Sequence, residues 1–330
     1  MTSLLVLGGT SFVGRHLVQA ALDAGHDVTM FNRGRTNPDL FPGVARLVGD
    51  RAGGDYAALS DGQWDAVVDV SAYYPRQVRE AAAALEGRVG HCTLISTVSV
   101  YAPSDEPIDE SSPLLPTDGV DTEVVDGDTY GPLKVLCEEA ARAAFPSTTV
   151  VRPGIVAGPH DPTDRFTYWV RRMTRPGPVL ACRPDAPVQA VHARDLADFT
   201  LSVTERRVDE TFNATGPTPG GVTMAELVAA CATAASLDAP DVIWVDEAFV
   251  AAHEVPLPML LSSDAGRDGL FRASCARAGA AGLRNRALVE TASDTLAWDR
   301  DRGGVPLEGM LDADTEAGLL STWADGVGGG

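Results

Sequence analysis

The chain has 330 residues, 45% of them hydrophobic, a length and composition that suit a soluble protein with a main domain and a smaller lobe. Its 46 acidic and 26 basic residues give a formal charge of −20, which opposes nucleic-acid partners, because binding a polyanion depends on lysine and arginine contacts that release counterions. No stretch approaches the roughly 20 apolar residues of a membrane span. The five dispersed cysteines form no Cys-x-x-Cys and the six histidines no ligand spacing, so no metal site is expected.

Ser3–Leu7 is a short apolar run of the kind that forms a buried parallel strand. It starts close to the N-terminus with no basic segment before it, so the expectation is a cytoplasmic chain without a signal peptide. The cluster Gly8-Gly9-Thr10-Ser11-Phe12-Val13-Gly14 follows. Val13 to Ala24 then has helical apolar spacing, Gly25 stops that helix, and Asp27–Phe31 reads as a second strand. Val48-Gly49-Asp50-Arg51 ends a third strand; Asp65–Val70 and Cys92–Thr97 read as the fourth and fifth. Tyr130-Gly131-Pro132-Leu133-Lys134 opens a helix that runs through Ala144 and ends at Pro146. In the second half, Thr211–Ala214 and Val242–Val245 read as strands. Thr223 to Leu237, Asp246 to His253 and Leu288 to Trp298 read as helices, the first with the Thr223/Glu226 spacing of a capping box. Pro256–Leu260 is an apolar loop that roofs the cleft or packs in the lobe, and the glycine-rich tail 326–330 is expected to be disordered.

Strand, glycine turn, helix, strand is the setting of a dinucleotide-binding fingerprint. Small residues at Gly8, Gly9 and Gly14, with Thr10, Ser11, Phe12 and Val13 between, bring backbone N–H groups and a helix N-terminus to a diphosphate. Asn32-Arg33-Gly34-Arg35 follows the second strand where an NAD site usually offers an acid. Arg33 and Arg35 suit the 2′-phosphate of NADP, so NADP is preferred to NAD, and Asp50 is placed to accept from the adenine amino group. Tyr130 and Lys134, at i and i+4, share one helix face. A nearby ammonium favours the phenolate, which makes Tyr130 an acid/base, while Thr97 at the end of the fifth strand holds a substrate oxygen.

These stretches, with Ile95–Tyr101, Val151–Pro159 and Val191–Ala197, resemble the extended short-chain dehydrogenase/reductase superfamily, and more closely its atypical NAD-dependent epimerase/dehydratase-like branch. The resemblance covers nearly the whole chain, although Ser11 stands at one glycine position of the fingerprint. It implies an α/β, doubly wound parallel-sheet Rossmann fold with a smaller mixed C-terminal substrate lobe. The expected Rossmann domain is 1–157, with segments near 187–215 and 240–246 returning to it; 158–186 and 216–325 form the lobe.

By the same resemblance Thr97, Tyr130 and Lys134 form the catalytic triad. Asn32, Arg51, Ser71, Ala72, Tyr73, Ser96, Pro153, Gly154 and Val156 line the cofactor. Ser99, Tyr101, Gln189 and His192 lie towards the substrate. His160, Arg165 and Trp169 are substrate candidates or, alternatively, a loop residue, a surface charge and a core residue. A homodimer through the helices after strands four and five is also implied.

Three departures bear on the reaction. Val98 and Ser99 cannot supply the acid and base that sugar-nucleotide dehydratases carry after the catalytic Ser/Thr. Gly154 replaces the Asn that touches the nucleotide-sugar in epimerases. No acid follows the second strand. The expected activity is therefore an NAD(P)-dependent reduction of a carbonyl, or oxidation of a secondary alcohol, of a small metabolite. The alternatives are a sugar epimerase using transient oxidation and a non-catalytic NADP-binding sensor. Some plant relatives of this branch bind RNA, which the acidic charge opposes here.

Overall fold

The computed structural model of the chain describes residues 1–216, 221–260, 266 and 268–327. Its first half runs β1 (Ser3–Leu7), α1 (Phe12–Asp23), β2 (Asp27–Asn32), β3 (Ala45–Val48), β4 (Ala66–Asp69), α2 (Pro75–Ala84), β5 (Cys92–Ile95), α3 (Tyr130–Ala144) and β6 (Thr148–Pro153). Next come β7 (Ile155–Ala157), α4 (Arg165–Arg172), β8 (Val179–Cys182), β9 (Pro187–Val188), β10 (Ala190–His192), α5 (Ala193–Glu205) and β11 (Thr211–Ala214). The remainder is β12 (Val222–Thr223), α6 (Met224–Ala234), β13 (Val242–Val245), α7 (Glu247–Ala252), α8 (Ala276–Ala281), α9 (Leu288–Asp301) and α10 (Ala313–Val327).

Seven strands form one sheet in the order β11-β6-β5-β4-β1-β2-β3, every pair parallel. The apolar run of β1 explains why both faces are covered. Leu4 and Val6 pack with Leu17 and Val18 of α1 and Ala197 and Leu201 of α5. Leu5 and Leu7 pack on the other side with Val78 of α2 and Cys137 of α3. All four β1 side chains are at most 1% exposed, and each such burial contributes about 1.5–3 kcal/mol. Strand order reverses between β1 and β4, and the crevice beyond their carboxyl ends is where open α/β sheets bind ligands.

A second core, around Phe166, Trp169, Leu227 and Leu296, fills the smaller lobe. Thr223 caps α6 and Glu226 completes the capping box. Segment 240–246, expected to return to the large sheet, belongs here instead. Its strand β13 pairs in parallel with β8, and Val245 is buried in the second core. Pro256–Leu260 packs within the lobe, with Leu257 and Met259 buried. Glu316 fastens α10 to this lobe by accepting from Arg172 Nε at 2.6 Å and from the Leu180 N–H at 3.0 Å. Residues 326 and 327, expected in a disordered tail, finish α10; 328–330 lie outside the described residues. Among the described residues no helix is long and apolar enough to cross a membrane.

Candidate active site

The glycine turn between β1 and α1 has a shape that only small residues allow. Gly8 and Gly9 have φ of 115° and 93°, a region closed to most side chains. A Cβ on Gly14 would lie 2.9 Å from both the Gly9 nitrogen and Val70 Cγ2. The turn lines a cavity of about 500 Å³ that continues past Asn32–Thr36, Asp50–Ala52, Ser71 and Tyr73. Backbone in place of side chains at one end of a cavity of this volume suits a phosphate-bearing ligand.

The rim divides into residues free to meet a ligand and residues already engaged. Arg33 and Arg35 are exposed on the cavity wall, and among the described residues neither has a hydrogen-bond or ion-pair partner. Asn32, by contrast, donates to Gly8 O at 2.8 Å and accepts from Gly34 N at 2.9 Å, so its amide braces the turn. Asn37 Nδ2 donates to Thr10 O at 2.8 Å and folds the arginine loop back onto it. Arg51, expected to touch the cofactor, donates twice to Asp69 at 2.7 Å, to Ser71 Oγ at 2.9 Å and to Gln77 O at 3.2 Å. It forms the cavity floor, with its donors spent on the protein.

Lys134 sits one turn into α3 and is 4% exposed. Its Nζ donates to Ala72 O, three residues past β4, and to Ile95 O at the end of β5, each at 2.8 Å. Burial lowers its pKa, while Cys137, Asp69 and Glu138 act in the opposite direction. The lowering of the Tyr130 pKa expected from the lysine spacing is not what the structure gives: burial raises the phenol above its usual range, against the Thr97 hydroxyl and the Arg165 cation, while the ammonium is turned to the Ala72 and Ile95 carbonyls. Thr97 accepts from Ser99 N at 3.1 Å and donates to Ser99 Oγ at 3.2 Å. Ser96, expected at the cofactor, instead donates to Glu138 Oε1 at 2.5 Å. Pro153 ends β6; Gly154 follows half-buried beside Thr215, and Val156 is buried in β7.

Several substrate candidates are structural. Trp169 is wholly buried and donates from Nε1 to Pro258 O at 3.1 Å, so it is core. Tyr101 is 2% exposed, and its hydroxyl is enclosed between Arg152 Nη1 and Asn213 Oδ1, both at 2.7 Å. His192 is buried and caps α5 by accepting from Arg194 N at 3.0 Å. Gln189, also buried, donates to Ala273 O at 2.9 Å. His160 packs on Trp298 of α9 and contacts Arg15 of α1. Arg165 remains exposed and acts on the Tyr130 phenol, and Ser99 is half-buried beside Thr97.

Sequence reasoning missed Asn37 and the buried Glu138–Arg152 pair, whose partners are known only once the strands are assembled. It also missed a signal that was countable: Lys134 is the only lysine in the chain.

Known proteins share this architecture. The chloroplast stem-loop binding protein of 41 kDa b of Arabidopsis thaliana is 27% identical over 262 residues, 73% of this chain and 65% of the relative. The chain therefore spans just under two thirds of that relative's length. The Bordetella bronchiseptica enzyme WbmH, solved with NAD+, superposes with a TM-score of 0.69 at 19% identity over 92% of this chain and 100% of that one. A UDP-glucose 4-epimerase superposes with a TM-score of 0.70 at 15% identity over 94% of this chain and 100% of that one. Residues 4–215 match the NAD dependent epimerase/dehydratase family, and with a glycine turn, parallel sheet and cavity of the kind described, the chain belongs to that family of enzymes.

Proposed function

We propose that the protein is an NADP-dependent oxidoreductase of the extended short-chain dehydrogenase type, reducing a carbonyl or oxidising a secondary alcohol of a small metabolite. The observation that carries this reading is the lysine. Of 26 basic residues, 25 are arginine, and the single lysine stands at position 134 with two of its N–H bonds fixed on the Ala72 and Ile95 carbonyls. A compact ammonium and a planar guanidinium are not interchangeable. A chain that uses arginine for every other cation keeps an amine where one N–H is left for a ribose hydroxyl.

The remaining roles follow from position. Backbone of Gly8–Gly14 faces the diphosphate, Arg33 and Arg35 the 2′-phosphate, and Asp50 the adenine. Nicotinamide bound there supplies or receives the hydride. Tyr130, a phenol that is protonated at neutral pH and that burial pushes further from ionisation, gives its proton to the carbonyl oxygen that the Thr97 hydroxyl holds; in the reverse direction it takes that proton back. Arg165, exposed near the phenol, meets the substrate. Stem-loop binding in the plant relative is not extended to this chain, whose charge is −20.

A second reading, epimerisation with tightly held NAD, is favoured by the epimerase among the fold neighbours. Equilibrium binding of NADPH and NADH, with mass spectrometry of any co-purifying nucleotide, separates the two. The reductase reading expects an empty site on purification and a preference for NADPH. Arg33→Ala should weaken NADPH about tenfold while leaving NADH within about twofold, since one charge-assisted contact is lost. Retained NAD, or equal weakening of both nucleotides, would favour the epimerase.

A further inference from the structure

A buried polar chain lies beneath the site, and no role above uses it. Glu138 Oε1 accepts from Ser96 Oγ at 2.5 Å, and Arg152 holds the same carboxylate through Nε at 2.9 Å and Nη2 at 2.6 Å. Arg152 continues to Tyr101 and Asn213. Ser96, Glu138, Arg152 and Tyr101 are each at most 4% exposed. Buried charges persist when paired and fully hydrogen-bonded, and breaking one such pair leaves an uncompensated charge.

Position gives this pair its meaning. Glu138 lies one turn beyond Lys134 and two beyond Tyr130, so all three share a face of α3. Ser96 immediately precedes Thr97, and Arg152 immediately precedes Pro153 and Gly154. One carboxylate thus ties the helix to two strand ends that frame the site. On the other neighbour of β5, Asp69 ends β4 and is paired with Arg51.

We propose that Glu138 is a positioning residue of the active site: it locks the ends of β5 and β6 to α3 and, with Asp69, supplies the negative field that holds the Lys134 side chain over the Ala72 and Ile95 carbonyls. The proposal deepens the assignment of Lys134 made above and rests on it for its catalytic meaning. The groups acting on the Lys134 charge are Asp69, Cys137 and Glu138, which favour the ammonium, and Arg51, which opposes it together with burial. Glu138→Gln removes one negative charge and leaves the Arg152 guanidinium unpaired; both changes disfavour the ammonium.

The lone lysine makes the test direct. Protein grown on [ε-¹³C]lysine carries a single labelled site, and its pH titration in the folded chain reports Lys134 without cofactor or substrate. Glu138→Gln should lower that titration by about one pH unit, a tenfold change in the proton equilibrium, and Glu138→Asp should recover most of it. Glu316→Gln breaks another buried arginine–carboxylate pair, in the other lobe, and should leave the titration unchanged. An unshifted titration in Glu138→Gln overturns the proposal, as does an equal shift in Glu316→Gln.

Should Glu138→Gln fail to fold, Ser96→Ala keeps the ion pair and removes only the strand tether. It is expected to move the Lys134 resonance and weaken NADPH severalfold; no change in either overturns the positioning role. If Glu138→Gln shifts the Lys134 titration as expected but the wild-type chain binds no nicotinamide nucleotide, the cofactor reading is refuted instead.

Discussion

Tyr130 opens α3 half-buried, where burial disfavours its phenolate. Tyr130→Phe removes the phenol proton and little else. Turnover of a carbonyl substrate should fall by about 10²–10⁴-fold, the usual worth of a positioned acid, while NADPH binding stays within about twofold. Undiminished turnover would show that another group moves the proton. The placement of Tyr130 and Lys134 on one helix and of Thr97 just past β5 was legible in the sequence, because helical spacing and strand ends are local properties. Trp169 and Tyr101 were not. An aromatic ring with a polar tip looks the same in a cleft or a core, and the acceptor that decides for Trp169 lies 89 residues away.

At the scale of one element, the glycine turn shows two effects competing. Alanine at position 14 would favour α1 by about 1 kcal/mol over glycine on intrinsic propensity. Its Cβ would also sit 2.9 Å from the Gly9 nitrogen, and forcing a methyl into a filled site costs about 1–3 kcal/mol. The clash should win because one neighbour is backbone. Gly14→Ala should lower the melting temperature by several degrees and abolish NADPH fluorescence enhancement; a variant that melts and binds like the wild type would show that the turn relaxes freely. The glycines, the alternation of strands and helices and the α6 cap were all readable, since each follows from short-range pattern. The placement of β13 was not. Four apolar residues fit an edge of either sheet, and only the burial of Val245 among lobe side chains decides between them.

Across the whole molecule, buried histidines contribute to acid sensitivity. His91 is fully buried between Ser147 and Thr149, and burial pushes its pKa down to about 4; His192 is pushed down to about 3. The unfolded chain protonates these rings near pH ~6.5, so below that pH it takes up protons that the native state refuses, and stability falls as pH drops towards 4. His91 alone accounts for roughly 3 kcal/mol over that range. Denaturant midpoints at pH 7 and pH 5 measure this effect, and His91→Gln should shrink the difference by one histidine's share, with His192 still contributing; equal midpoints for the wild type would show that the buried rings do not titrate this way.

A chain with one buried lysine also has an unusual outside. Its surface cations are guanidinium groups, which stay protonated far into alkali, so between neutrality and about pH 11 its positive charge hardly changes apart from the terminal amine. Reagents that seek amines meet only that terminus on the folded molecule. Acylation reaching residue 134 therefore marks molecules whose α3 has left the sheet, which makes a single modification a clock for the opening of the half that carries the glycine turn.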